Sequence, residues 1–288
     1  MKNTLFYKYI DLDNIEAMQK HFLELLRELN LKGTILLAKE GINGNLTGEE
    51  KNIEQFKTMI QTDKRFSDLQ FKEGVTDNHN FKKLKVKIKK EIVHSKLQVD
   101  MSNKGTYLEP KELKQWFDSN RDFVMIDMRN NYESEIGKFE KTIALDIDVF
   151  RDLPKAMPQI EHLKDKKVVA YCTGGVRCEK ASAFLKEQGF SDVYQLHGGI
   201  LQYGHEVGND HWKGKCLVFD MRGAVDIDPK KQSEPITQCV LCHLPNADLH
   251  NCSLTTCDKR FTACSTCLDT LHGCCSKNCR GKLSNNQK

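Results

Sequence analysis

A chain of 288 residues with 39% hydrophobic and 29% charged side chains can bury more than one core, and no apolar run approaches the ~20 residues that a bilayer span requires. A net charge of +4 and a pI near 8.3 fall short of the balance of a dedicated nucleic-acid domain. Twelve cysteines beside a start, Met1 to Tyr7, without the apolar core of a signal peptide fit a reducing compartment, so the cytoplasm is expected and a membrane partner is not.

Residues 5–10 read as a strand. Asp13 or Asn14 is placed to cap a helix through Leu29, whose apolar positions Ile15, Met18, Phe22, Leu25, Leu26 and Leu29 share one face. Gly33 precedes a strand over 34–38, and Glu40-Gly41-Ile42-Asn43-Gly44-Asn45 reads as a tight glycine and asparagine hairpin, with a phosphate or nucleotide contact as the alternative. Thr47 and Glu50 form a capping-box pattern before a helix around Ile53, Phe56, Met59 and Ile60. Strands near 69–72 and 83–93 complete a β-α-β-β-α-β order, so residues 1–95 are expected to form a ferredoxin-like (acylphosphatase-like) sandwich. In the last strand Lys82, Lys83, Lys85, Lys87, Lys89 and Lys90 surround Leu84, Val86 and Ile88. Alternation puts Lys85, Lys87 and Lys89 on one face, either as a solvated edge that resists aggregation or as a stripe that contacts nucleic-acid phosphates.

Residues 96–111 have little periodicity, contain Gly105 and Pro110, and read as a linker. Over 112–210 strands alternate with helices, the pattern of a parallel α/β sheet covered on both faces. Its most informative stretch is Cys172-Thr173-Gly174-Gly175-Val176-Arg177, between an apolar run (168–171) and a helix-like run (178–188). A cysteine at a strand-to-helix turn faces the first amides of the helix, which favour an anion and lower the thiol pKa. Gly174 and Gly175 let the backbone curl into a cradle, and Arg177 adds a permanent cation. Four residues separate Cys172 from Arg177, a ring suited to a group smaller than a tetrahedral phosphate, such as one persulfide sulfur. The chemistry this favours is a nucleophilic cysteine. Arg129, just past the strand over 123–126, is a candidate for the same pocket, or else a structural partner of Asp127 or Glu133. Cys178 reads as a small buried helix residue, with a resolving thiol as the alternative; Cys216 reads as core, and His197 as a satisfied histidine in a turn.

The extension, 211–288, holds nine cysteines between Cys239 and Cys279. So short a segment needs cross-links, and thiolates in CxxC pairs supply the tetrahedral sulfur sites that zinc prefers. Cys239, Cys242, Cys264 and Cys267 resemble one four-cysteine site; Cys252, Cys257, Cys279 and either Cys274 or Cys275 make a second, with His243, His250 or His272 as alternative ligands. The expectation is a structural zinc module.

Two sets of motifs carry a resemblance. Asp127-Met128-Arg129, Tyr132-Glu133, Gly137, the Cys172 loop and Val193-Tyr194-Gln195-Leu196-His197-Gly198-Gly199-Ile200 match the order of a rhodanese module. With Lys39-Glu40-Gly41-Ile42-Asn43-Gly44, Lys87-Ile88-Lys89-Lys90-Glu91-Ile92-Val93 and Trp212-Lys213-Gly214-Lys215-Cys216-Leu217-Val218-Phe219-Asp220, nearly the whole chain resembles the bacterial tRNA uridine 5-hydroxylase family of rhodanese-like proteins. The resemblance implies hydroxylation of the wobble uridine of tRNA with molecular oxygen as co-substrate and Cys172 as the reactive residue. The Cys172 loop agrees equally with a plain sulfurtransferase. A non-catalytic RNA- or protein-binding module is a third reading, against which the intact loop counts.

Overall fold

The computed structural model describes residues 1–285. β1 (Lys2–Tyr9), β2 (Lys32–Ala38), β3 (Gly41–Gly48), β4 (Phe71–Val75) and β5 (Leu84–Ile88) form one sheet in the order β4-β1-β3-β2-β5. α1 (Ile15–Glu28) and α2 (Glu50–Gln61) cover one face through Phe22, Leu25, Leu26, Ile53, Phe56 and Ile60, which pack on Phe6, Ile35, Leu37, Ile42 and Leu46. This is the ferredoxin-like sandwich, with β5 added at the edge parallel to β2.

Two local expectations fail here. The stretch read as a hairpin turn is mostly strand: only Lys39 and Glu40 lie between β2 and β3. Gly44 lies within β3, and the position is a glycine because the Phe6 ring lies 2.2 Å from where a Cβ would stand. Thr47 does not cap α2; it lies inside β3 and Glu49 takes the N-cap position.

The second sheet holds β6 (Thr106–Leu108), β7 (Val124–Asp127), β9 (Thr142–Ala144), β10 (Lys167–Tyr171) and β11 (Asp192–Leu196), with β8 (Gly137–Phe139) outside it. The order is β6-β11-β10-β7-β9 and every pair is parallel. Residues 106–108 of the expected linker thus supply an edge strand, pinned where the buried Gln195 amide donates to the Gly105 carbonyl at 3.0 Å. α3 (Pro110–Asp118) and α7 (Gly199–Glu206) lie on one face, α5 (Leu153–Ala156) and α6 (Val176–Glu187) on the other, and α4 (Asn131–Ile136) follows β7. Along β10, Val168 and Ala170 enter one core while Val169 and Tyr171 enter the other, which explains its unbroken apolar run.

Beyond α7, β12 (Trp212–Gly214) pairs with β8, and β13 (Cys216–Leu217) with β14 (Ala224–Val225). A small unit follows: β15 (Leu249–Asn251) pairs with β16 (Arg260–Thr262), and α8 (Ser265–Thr270) and α9 (Lys277–Asn285) complete it. Its core is Leu254, Phe261, Ala263 and Leu271 packed among cysteines. Among the described residues no helix is long and apolar enough to cross a membrane.

Candidate active site

β10, central in its sheet, ends at Tyr171, and Cys172 opens the loop into α6 at the carboxyl edge of the strands. The Gly175 N–H donates to Cys172 Sγ at 3.2 Å, with Gly175 at φ 97°. Burial pushes the thiol pKa up. The Cys178 thiol, the charge of Arg177 and the backbone N–H groups of Arg177 and Cys178 outweigh it and bring the pKa down to about 5. Cys172 is therefore a thiolate at neutral pH. Cys178 is buried as expected, but it faces Cys172; burial and the neighbouring thiolate hold its own pKa far above the ordinary value.

Arg177 is a fixed cation rather than a loose one. Its Nη1 and Nη2 donate to Glu133 Oε1 and Oε2 at 2.7 and 2.9 Å, a buried bidentate pair between α6 and α4. Arg129 does not reach this pocket, contrary to one of its two readings. It is wholly buried, donates to Asp127 and to the Gly137 carbonyl at 2.6 Å, and sits over the Tyr171 and Trp212 rings. The Asp127 carboxylate, also bonded by Ser134 and Tyr171, provides the counter-charge that a buried guanidinium requires.

Across from the loop stands the helix-free face of the N-terminal sheet. Leu5 and Tyr7 of β1 rest on Gly174 and Gly175: a Cβ on either glycine would lie 2.5 Å from Leu5 Cδ2 or 2.7 Å from the Tyr7 hydroxyl. Tyr9 donates to the Val176 carbonyl at 3.2 Å, and Lys180 bridges Glu40 and Glu91 at 2.7 and 2.9 Å. Between the two sheets lies a cavity of about 520 Å³, with Cys172, Thr173, Gly174, Val176 and Arg177 on one wall. Thr34, Leu36, Asn43 and Asn45 form the opposite wall, and Phe219 and Arg222 of the extension close a side.

Lys85 and Lys87 pair in register with the cavity-lining Thr34 and Leu36, while Val86 between them packs under α1. The two lysines therefore extend the cavity wall to the edge of the sheet. Lys89 follows β5, and all three side chains are exposed and without an ion pair among the described residues.

The extension gathers its sulfurs into two groups, Cys239 with Cys242, Cys264 and Cys267, and Cys252 with Cys257, Cys275 and Cys279. Within each group every sulfur lies within 4.8 Å of the others, the spacing of a four-thiolate metal site. Of the adjacent pair, Cys275 joins the second group; Cys274 is buried in the small core instead. Neither group includes His243, His250 or His272.

Comparison with known proteins agrees along the chain. Residues 1–92 match the UPF0176 acylphosphatase like domain, 109–206 the rhodanese-like domain, and 213–280 the rhodanase C-terminal family. A protein of Cytophaga hutchinsonii named tRNA uridine(34) hydroxylase is 43% identical over 96% of this chain and 88% of its own length. Proteins of the same name from Legionella pneumophila (strain Paris) and Chlamydia felis are 45% and 37% identical, over 77% and 95% of this chain and 89% and 85% of theirs. The chain belongs to the tRNA uridine(34) hydroxylase family. Within this member, sequence reasoning missed Glu133 as the partner of Arg177; it held a nucleotide contact over Glu40 to Asn45 only as the alternative to a hairpin, and Asn43 and Asn45 of that stretch line the cavity. The signal for the asparagines was alternation: Ile42, Gly44 and Leu46 face the helices, so Asn43 and Asn45 face away.

Proposed function

We propose that this protein hydroxylates carbon 5 of the wobble uridine of tRNA to give 5-hydroxyuridine, with molecular oxygen as co-substrate and Cys172 as the reactive sulfur. The observation that carries the reading is an ionised cysteine lining a cavity roomy enough for a whole nucleotide, whose far wall runs out to exposed lysines. A wobble base is unpaired and enters such a pocket at small unstacking cost, while its neighbouring phosphates meet Lys85, Lys87 and Lys89. A thiolate beside uracil is a nucleophile toward carbon 6, and its addition puts negative charge on carbon 5, the atom that takes oxygen. One oxygen atom enters the new C–OH bond and the other leaves as water, taking up two electrons from an external reductant and two protons; carbon 5 then loses its proton, the C6–S bond breaks, and the Cys172 thiolate is returned. The loop N–H groups and the Arg177 charge hold the sulfur ionised, and Glu133 holds Arg177.

The two four-cysteine groups are suited to structural zinc, whose binding supplies the folding free energy that so small a core lacks. The units in this reading are the sandwich over 1–95, the rhodanese-like unit, which takes in β6 and α3 and runs to 210, and the extension over 211–288. A tRNA substrate and reduced cysteines agree with a cytoplasmic protein.

Mass spectrometry of tRNA nucleosides tests the function, in a strain lacking its own wobble hydroxylase and carrying this gene. The expected result is 5-hydroxyuridine with the natural sequence and none with Cys172→Ser. Thiolated nucleosides in its place would favour sulfur transfer, which the small anion cradle at Cys172 also suits. No change in any nucleoside would favour a binding module.

A further inference from the structure

Two amides on the cavity wall have fixed orientations. Asn43 Nδ2 donates to the Ile92 carbonyl at 3.0 Å. A carbonyl only accepts, so the Asn43 amide cannot be turned over, and its Oδ1 is left without a partner among the described residues. Asn3 Nδ2 donates to the Leu46 carbonyl at 3.2 Å and to Asn45 Oδ1 at 2.7 Å, while Arg222 Nη2 donates to Asn3 Oδ1 at 3.2 Å. Asn3 is thus fixed at both ends, and through it Asn45, whose Nδ2 is left without a partner among the described residues. The wall therefore offers one donor, Asn45 Nδ2, and one acceptor, Asn43 Oδ1, two positions apart on β3. Residues two apart on a strand project from the same face, so both groups are presented to the one cavity.

We propose that Asn43 and Asn45 read the wobble base, Asn45 Nδ2 donating to uracil O4 and Asn43 Oδ1 accepting from uracil N3–H. The assignment rests on the hydroxylase function above and adds to it the residues that select the base. With the carbon 5–carbon 6 edge turned toward Cys172, uracil presents an acceptor at position 4 and a donor at position 3. Cytosine presents the reverse, a donor at N4 and an acceptor at N3. Neither asparagine can turn over to suit it: Asn43 would lose the Ile92 carbonyl, and Asn45 would set its N–H against that of Asn3. Rejection then comes from two unpaired buried polar groups, the strongest form of discrimination that hydrogen bonding allows. Arg222, from the extension, is a positioning residue, because it sets the sense of the Asn3–Asn45 pair.

The test is binding of the full-length protein to anticodon stem-loops that differ only at the wobble position: uridine, cytidine or 3-methyluridine. The natural sequence should bind the uridine loop roughly tenfold or more tightly than the other two. Asn43→Ala should bind the uridine and 3-methyluridine loops alike, because the acceptor that N3 methylation leaves unpaired is gone. Equal affinity of the natural sequence for uridine and 3-methyluridine loops overturns the proposal, and so does full discrimination by Asn43→Ala. The modified base needs no folded variant, so the first comparison stands even where Asn43→Ala is unstable. Failure here is separable from failure of the function itself: the natural gene then still restores 5-hydroxyuridine in cells. A gene that restores none removes both.

Discussion

Tyr7 of the N-terminal sheet occupies the space that a side chain on Gly175 would need: its hydroxyl lies 2.7 Å from the site of the missing Cβ. The contact makes the cysteine loop and the first strand one surface, so the cavity exists only while the two units are docked. Gly175 is also at φ 97°, where any other residue is strained. Gly175→Ala should cost about 1–3 kcal/mol from backbone strain and the collision together. Loss of the tRNA modification in cells should accompany a lower melting temperature. Natural modification and an unshifted melting curve would mean that the docking tolerates a methyl group there.

The Cys172 pKa gives a pH dependence with a definite sign. Folding lowers it from 9.0 to about 5, so the unfolded chain holds the proton more tightly. The thiolate stabilises the fold fully above pH 9, progressively less as pH falls, and no longer below about 5. The ultraviolet thiolate absorbance of the natural protein minus that of Cys172→Ser should step with a midpoint near 5. A midpoint near 9 would mean that the loop does not ionise the sulfur.

Much of this site was legible in the residues. Cys172 at a strand-to-helix turn followed by two glycines reads as an anion cradle, because local geometry alone makes it one. The partners supplied by distant elements were not legible. Glu133 lies 44 positions from Arg177, and Asn43 more than 120 positions from Cys172; nothing local marks either pair. Gly44 misled the reading of β3, since a glycine that yields space to Phe6 looks in sequence like one that turns the chain. The lysine stripe read as a strand face correctly. Which face Cys172 would share required the register of β2 and β5.

Arg177 and Glu133 form a buried pair, so breaking it from either side leaves an uncompensated charge. Glu133→Ala should cost about 3–5 kcal/mol by denaturant unfolding, and the Glu133→Ala, Arg177→Ala double variant less than the sum of the singles. Arg177→Ala alone should raise the thiolate midpoint, since the cation that lowers it is gone. Additive losses would show that the two side chains do not act as a pair.

Replacing Lys85, Lys87 and Lys89 with glutamate should weaken tRNA binding at every wobble base while leaving the melting temperature nearly unchanged, because all three are exposed. Lysines that neutralise phosphates release counterions, so the slope of log affinity against log salt should shrink by about 0.7–0.9 for each phosphate no longer neutralised. An unchanged slope would reduce the stripe to a solubilising edge.

The adjacent cysteines of the extension fall in different surroundings. Cys275 lies with Cys252, Cys257 and Cys279, whereas Cys274 is buried among Leu254, Phe261 and Leu271. With structural zinc in both groups, the natural protein should carry two zinc ions per chain by elemental analysis. Cys275→Ala should leave about one, because three thiolates hold the metal less well than four, and the region around α9 should become protease-sensitive. Cys274→Ala should keep both ions and lose about 1 kcal/mol through the small cavity it opens. Equal zinc loss in both variants would mean that the ligand set includes Cys274, and no zinc in the natural protein would remove the metal from the account of this fold.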